Sequence, residues 1–276
     1  MKRAPGAVAT SRRALEAHAH RLRSLHVRGD PLLLPNAWDA ASAKAVAAGG
    51  FPAVATTSGG IAATLGYEDH EGAPADEMLS AAARIARSVD VPVTVDAEAG
   101  YGMTPTDLVE ALLGAGAAGC NLEDTDHTTG KLRDLDRQAD WLAGVRKAAA
   151  ERHYGLVINA RIDVFLADRD ARPQHKLLPE AVTRAHAYRT AGADCVFPIV
   201  LSDTDTIHAF VDEVDGPVNI LTRRQAPSID RLAELGVARV SWGSLPYRRT
   251  IEQFTAFLAG QPRWSGTDHW HAEAGL

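Results

Sequence analysis

The chain has 276 residues, 46% hydrophobic and 23% charged, a balance that excludes bulk disorder in a chain long enough to bury a large core. A net charge of −6, from 29 basic and 35 acidic residues, argues against a nucleic-acid binder, and no apolar run approaches the ~18 residues of a membrane span. Two cysteines, Cys120 and Cys195, build no disulfide framework and the N-terminus lacks the apolar stretch of a secretory signal, so a cytoplasmic protein is expected.

Residues 11–26 read as an amphipathic helix suited to close the floor of a barrel. From residue 30 the chain alternates short apolar runs with helical patterns. Strands are predicted at 32–35, 53–56, 91–95, 119–122, 156–159, 194–197, 218–221 and 238–241. Helical patterns between them include 105–115, with Thr104 as N-cap and Pro105 at the first position, then 178–191 and 228–235. Four joints place a glycine where a helix ends before a strand: Gly49-Gly50, Gly116, Gly192 and Gly236. Nearly continuous apolar strands alternating with helices mean a parallel sheet covered by helices, and eight units in about 250 residues fit a closed (β/α)8 barrel. The dinucleotide-binding alternative needs a Gly-x-Gly-x-x-Gly turn, and Leu34-Pro35-Asn36-Ala37-Trp38-Asp39 is unlike it. One domain over 1–276 is expected: an N-terminal helix at 11–29, barrel units at 30–243, and an eighth helix and tail at 244–276. The tail carries Trp264, His269, Trp270 and His271 and reads as a subunit contact.

Active sites of such barrels lie at the C-terminal ends of the strands. There the third strand delivers Asp96 and Glu98, the fourth Glu123 and Asp124, and the fifth Asn159, Arg161 and Asp163. Crowded carboxylates need positive compensation, and all-oxygen surroundings select Mg²⁺, or Mn²⁺ in its place. No histidine or cysteine is expected beside these acids at a strand end. Thr57-Ser58-Gly59-Gly60 after the second strand lets backbone amides approach an anion closely. No lysine falls at a strand end, which leaves a Schiff-base aldolase without its nucleophile. Both cysteines fall inside strands, where a small apolar packing role is expected.

Taken in order, Pro35-Asn36-Ala37-Trp38-Asp39, Thr57-Ser58-Gly59-Gly60, Val95-Asp96-Ala97-Glu98-Ala99-Gly100-Tyr101-Gly102, Asn121-Leu122-Glu123-Asp124 and Asn159-Ala160-Arg161-Ile162-Asp163 resemble the isocitrate lyase/phosphoenolpyruvate mutase superfamily. The resemblance covers about residues 32–260. It implies a Mg²⁺ enzyme that takes a small 2-oxo acid or related carboxylic acid and works through a pyruvate-enolate-like species. Asp96 resembles the principal metal ligand, and Glu98 and Glu123 the acids that hold the metal's waters. Glu98 stands where aspartate is commoner, and its extra methylene could bring it into direct metal contact. Ser58, Gly59 and Gly60 resemble the carboxylate cradle and Asp69 the further carboxylate after the second strand. Arg161 resembles the arginine facing the substrate, and Thr57 and Asn159 complete the expected substrate-binding set. A homotetramer, a dimer of dimers with residues 244–260 reaching a neighbouring subunit, is also implied.

The loop after the fourth strand departs from the family. Its lyases carry Lys-Lys/Arg-Cys-Gly-His there and its C–P bond enzymes an asparagine; here it reads Thr125-Asp126-His127-Thr128-Thr129-Gly130-Lys131-Leu132-Arg133-Asp134. The expected chemistry is therefore decarboxylation or C–C cleavage without a thiol, resembling the family's oxaloacetate-type decarboxylases. The loop is read as a mobile lid, in which His127 is either the candidate acid or a solvent-exposed loop histidine. The alternatives are a phosphoenolpyruvate mutase or phosphonopyruvate hydrolase type of enzyme, a 2-methylisocitrate lyase-like enzyme, and a non-catalytic barrel used as a binding subunit.

Overall fold

The computed structural model describes residues 11–168 and 171–261; the aromatic tail beyond lies outside the described residues. Strand β1 is split at Pro35, which has no N–H to give, into Leu32–Leu34 and Asn36–Ala37. The others are β2 (Val54–Thr56), β3 (Val93–Asp96), β4 (Gly119–Glu123), β5 (Val157–Ile162), β6 (Cys195–Pro198), β7 (Asn219–Leu221) and β8 (Arg239–Ser241). All eight predicted strands are present. The two halves of β1 serve different neighbours, Leu32–Leu34 pairing with β8 and Asn36–Ala37 with β2. Parallel pairing then runs β2-β3-β4-β5-β6, crosses to β7 at the bridge Val196↔Val218, and ends on β8. Because β8 pairs in turn with Leu32–Leu34 of β1, the strands follow one another in the order of a (β/α)8 barrel, with a single bridge between β6 and β7.

The helices are α1 (Arg12–Ser24), α2 (Ala40–Ala48), α3 (Ser58–Leu65), α4 (Ala75–Ala86), α5 (Pro105–Ala115), α6 (Leu135–Glu151), α7 (Val164–Ala167), α8 (Gln174–Thr190), α9 (Thr204–Glu213), α10 (Ile229–Glu234) and α11 (Leu245–Ala259). Thr104 caps α5 by accepting from Asp107 N, and Gly116 ends it in the left-handed region at φ 75°. Two expectations change. Thr57-Ser58-Gly59-Gly60, read only as a segment whose amides approach an anion, opens helix α3, because Thr57 caps it by accepting from Gly60 N. Helix α8 starts at Gln174, four residues before its predicted start, and carries Pro179 in its second turn.

Helix α1 closes the floor as expected. It buries Leu15, Ala19 and Leu22, and Arg23 donates from Nε to Asp194 Oδ1 at 2.8 Å and from Nη2 to the carbonyls of Gly155 and Leu156 at 3.1 Å. Just beyond it, His26 Nδ1–H donates to Leu22 O at 2.8 Å, while Nε2 is buried with no hydrogen-bond partner. Burial, aided by the positive charge of Arg239, lowers this imidazole to about 4. Its folded value lies below the ordinary 6.5, so its contribution to stability is full above that pH and is lost as pH falls towards about 4. Urea unfolding between these limits is expected to lose ~2 kcal/mol that a His26→Gln variant does not lose. Equal slopes for both proteins would remove this assignment.

Candidate active site

Register brings the site residues together. Pairing of β3 with β4 sets Asp96 beside Asn121, and pairing of β4 with β5 sets Asn121 beside Asn159 and Glu123 beside Arg161. Arg161 grips Asp163 with two hydrogen bonds, Nε to Oδ1 at 2.6 Å and Nη2 to Oδ2 at 2.9 Å, and turns Nη1 onto Glu123 Oε2. Burial works against its charge, but Asp163 and then Glu123 outweigh it and hold the guanidinium firmly protonated. Asp163 also accepts from Thr125 Oγ1 at 2.5 Å, and its backbone N–H donates to Asp124 Oδ1 at 2.8 Å. Asp124 is fully buried, and burial together with the Asp163 charge pushes it up to about 6.

Asp96 accepts from Ser58 N at 3.1 Å through Oδ2, and its own N–H donates to Thr56 Oγ1 at 2.8 Å. The side chain of Glu98, 3% exposed, accepts from Glu71 N at 2.5 Å. Burial first, then the charges of Asp96, Asp69 and Glu123, push Glu98 up to about 8. Glu71 in turn accepts from Tyr101 N at 2.6 Å. His70, Glu71, Glu98 and Tyr101 all carry positive φ, so the backbone strain of these two loops is concentrated where they meet. Asp69 closes over the second loop-helix junction, where a Cβ on Gly59 would sit 2.7 Å from its Oδ2. Thr57 Oγ1 lies 2.7 Å from Ser244 Oγ.

The loop after β4 folds back over the cluster, and here the expectation that no histidine stands beside the acids is corrected. His127 Nε2 lies 2.6 Å from Glu123 Oε1, an ion-pair separation without hydrogen-bond alignment. The His127 side chain is 10% exposed, so it is not a solvent-exposed loop histidine. Glu123, itself pushed upward by burial, holds the imidazole above its ordinary value. The rings of His127 and His70 lie 5.4 Å apart. Asn159 is also corrected. It is fully buried one step below Arg161, and donates from Nδ2 to Asn121 Oδ1 at 2.8 Å, so it supports the site from beneath. Sequence reasoning missed Glu71, Ser244, Arg184 and Tyr188, which arrive from distant segments. Cys120 and Cys195 are fully buried, with thiols raised to about 12, as the packing role requires.

Among the described residues no three His, Cys, Asp or Glu side chains form a ready-made metal cage. Mg²⁺ does not need one, because it keeps several waters and takes one or two carboxylates. The donor set of Asp96, Glu98 and Glu123 fits such an ion: all oxygen, crowded enough to push Glu98 up to about 8, with no cationic side chain of the described residues paired with Asp96. No helix of the described residues is long and apolar enough to cross a membrane.

Residues 22–260 match the family model for phosphoenolpyruvate phosphomutase. An uncharacterized protein of Mycobacterium tuberculosis is 35% identical over 223 residues, 81% of each chain. The 2-methylisocitrate lyase of Escherichia coli is 27% identical over 216 residues, 74% of this chain and 70% of that one. A crystal structure from Burkholderia cenocepacia, provisionally described as a phosphonomutase, has a TM-score of 0.83 at 42% identity and covers 88% of this chain and 99% of its own. On this evidence the chain belongs to the phosphoenolpyruvate mutase family, within the isocitrate lyase/phosphoenolpyruvate mutase superfamily of lyases and mutases.

Proposed function

We propose that the protein is a Mg²⁺-dependent lyase that decarboxylates or cleaves a small 2-oxo acid, or a related carboxylic acid, through an enolate-like intermediate. The observation that carries this reading is His127 seated on Glu123, which is itself paired with Arg161, in a site where both thiols are buried elsewhere. Mg²⁺, held by Asp96, Glu98 and Glu123, would supply a Lewis acid and a template for the substrate's carboxylate and adjacent oxygen. In the first turn of α3 the Ser58 amide is taken by Asp96 and the Gly60 amide by Thr57, which leaves Gly59 N–H for a substrate carboxylate. As the C–C bond breaks, its electron pair passes into the enolate, whose negative charge Arg161 offsets from a buried position. The His127 imidazolium then gives its proton to the enolate carbon and is reprotonated from solvent.

The likeness to the Burkholderia phosphonomutase supports a second reading, a C–P bond enzyme. Turnover of phosphonopyruvate against a panel of 2-oxo and 2-hydroxy acids, followed by NMR for pyruvate and CO₂, separates the two. Phosphonopyruvate as the sole substrate would replace the first reading by the second.

Assembly is read from α11, which buries none of its residues. Ile251, Phe254, Phe257 and Leu258 are between 45% and 60% exposed, and a cleft of about 510 Å³ beside it is lined by Trp38, Val46, Phe51 and Pro246. An apolar helix face and an apolar cleft on one chain fit a second copy, with a dimer of dimers as the assembly.

Three outcomes are expected. By isothermal titration, Asp96→Ala loses Mg²⁺ binding and Glu123→Gln weakens it by less; undiminished affinity in Asp96→Ala would remove the metal reading. His127→Ala lowers kcat by about 10²-fold or more, while the double change Cys120→Ser with Cys195→Ser leaves turnover near wild type. A cysteine-dependent rate with an indifferent His127 would mean that another group moves the proton. Light scattering at micromolar concentration gives an oligomer that Phe254→Asp with Phe257→Asp disperses, and a monomeric wild type would end the assembly reading.

A further inference from the structure

The loop carrying His127 is rooted on α8, sixty residues further along the chain. Its arms, Thr125–Asp126 and Lys131–Leu132, pair antiparallel as a short hairpin, and Arg133 N–H closes the base on Asp124 O at 2.7 Å. Arg184 Nη1 lies 3.1 Å from Asp124 Oδ2 and 3.1 Å from Arg133 O, so one guanidinium nitrogen reaches both ends of the loop. One helical turn on, Tyr188 Oη donates to Asp124 Oδ2 at 2.7 Å and accepts from Arg184 Nη1 at 3.1 Å. The other oxygen of Asp124 takes the backbone N–H of Asp163, the residue that grips Arg161. Helix α6 adds a further tie, Gln138 donating to Glu123 O at 3.1 Å and accepting from Arg133 at 3.2 Å. Asp124 and Tyr188 are fully buried and Arg184 is 8% exposed, so water does not compete for these bonds.

We propose that Arg184 and Tyr188 are positioning residues that clamp the root of this loop, so that His127 is delivered to Glu123 by a fixed hairpin instead of a lid swinging from its base. Motion is then confined to the tip beyond His127, residues 128–130, where Gly130 adopts φ 67° and Thr128 and Gly130 bond only back to Asp126. The same clamp sets Arg161 through Asp124 and Asp163, so loop and arginine are aligned by one buried carboxylate.

The effect of the clamp on turnover rests on reading His127 as the proton donor; the clamp itself does not. The test is hydrogen exchange of the full-length protein combined with steady-state kinetics on the substrate that the 2-oxo acid panel identifies. Tyr188→Phe, which removes one hydroxyl and keeps the ring, and Arg184→Met are expected to speed exchange of the amides of residues 125–133 on the order of tenfold, with β5 and α5 unchanged. In both, kcat falls while KM changes little, and Arg184→Lys, which can still reach Asp124, recovers part of the loss. Should Arg184→Met fail to fold, Tyr188→Phe alone decides. Unchanged exchange in the loop overturns the clamp. Faster exchange with an unaltered kcat upholds the clamp and overturns His127 as donor.

Discussion

Glu98, Glu123, Asp124 and Asp163 are all buried at one end of the barrel, where an isolated carboxylate would be far more costly than in water, and the arrangement around them follows from that cost. Each finds a different compensation. Asp163 has the bidentate fork of Arg161, and Asp124 the phenol of Tyr188 with the guanidinium of Arg184. Glu123 stands between Arg161 and His127. Glu98 has only a backbone amide, and with acids on three sides it retains a proton to higher pH than an ordinary carboxylate. Arg161, His127 and Arg184 are paired with three of the four acids, and Glu98, close to Asp96, is left without a cationic partner. The remaining excess is what makes this rim attractive to a cation.

What could be read from the sequence was set by distance along the chain. Strands, the Thr104 cap and the glycine joints are local signals, and all eight strands lie within a few residues of their predicted places. Asp96, Glu98, Glu123 and Arg161 were legible because strand ends in a parallel barrel converge on one rim. The contact of His127 with Glu123 was not, although only four residues separate them, because it depends on a hairpin turning back over the strand end it left. Asn159 was misplaced for a related reason: on β5 it shares a face with Arg161 but lies one step deeper, where a neighbour from β4 takes its amide. Arg184 and Tyr188 gave no signal at all, since their partner is sixty residues away in sequence.

The support beneath the rim is itself polar. Barrels of this kind usually fill their interior with bulky branched side chains, yet here Thr94, Asn121, Asn159, Asn219, Ser241 and Arg239 are buried. Arg239 donates from Nη2 to Asn121 Oδ1 at 3.1 Å, the same oxygen that accepts from Asn159, and its Nε and Nη1 have no partner. Burial lowers its guanidinium to about 10, against the pull of groups that include Asp96. A hydrogen-bonded layer of this kind resists sliding more than an apolar one does, because each shift breaks directional bonds that no water can replace. Arg239, Asn121 and Asn159 thereby tie β8, β4 and β5 together directly under the residues whose spacing matters.

The pairing around Glu123 also orders the candidate metal ligands. Its Oε2 faces Arg161 and its Oε1 faces His127, so a cation bonded directly to Glu123 would have to displace a positive group from one of them. A water between ion and carboxylate avoids that displacement and suits Mg²⁺, which gives up its waters reluctantly. Asp96 is differently placed: Ser58 N–H occupies Oδ2, no cationic side chain is paired with it, and Oδ1 takes no hydrogen bond among the described residues. Asp96 and Glu123 would therefore hold the ion, which would supply a Lewis acid, while leaving Arg161 and His127 where the proposed chemistry uses them. Glu123 then has one task that no other acid on the rim could take over, which is to hold the proton-bearing imidazole and the charge-offsetting guanidinium on opposite oxygens of a single buried carboxylate.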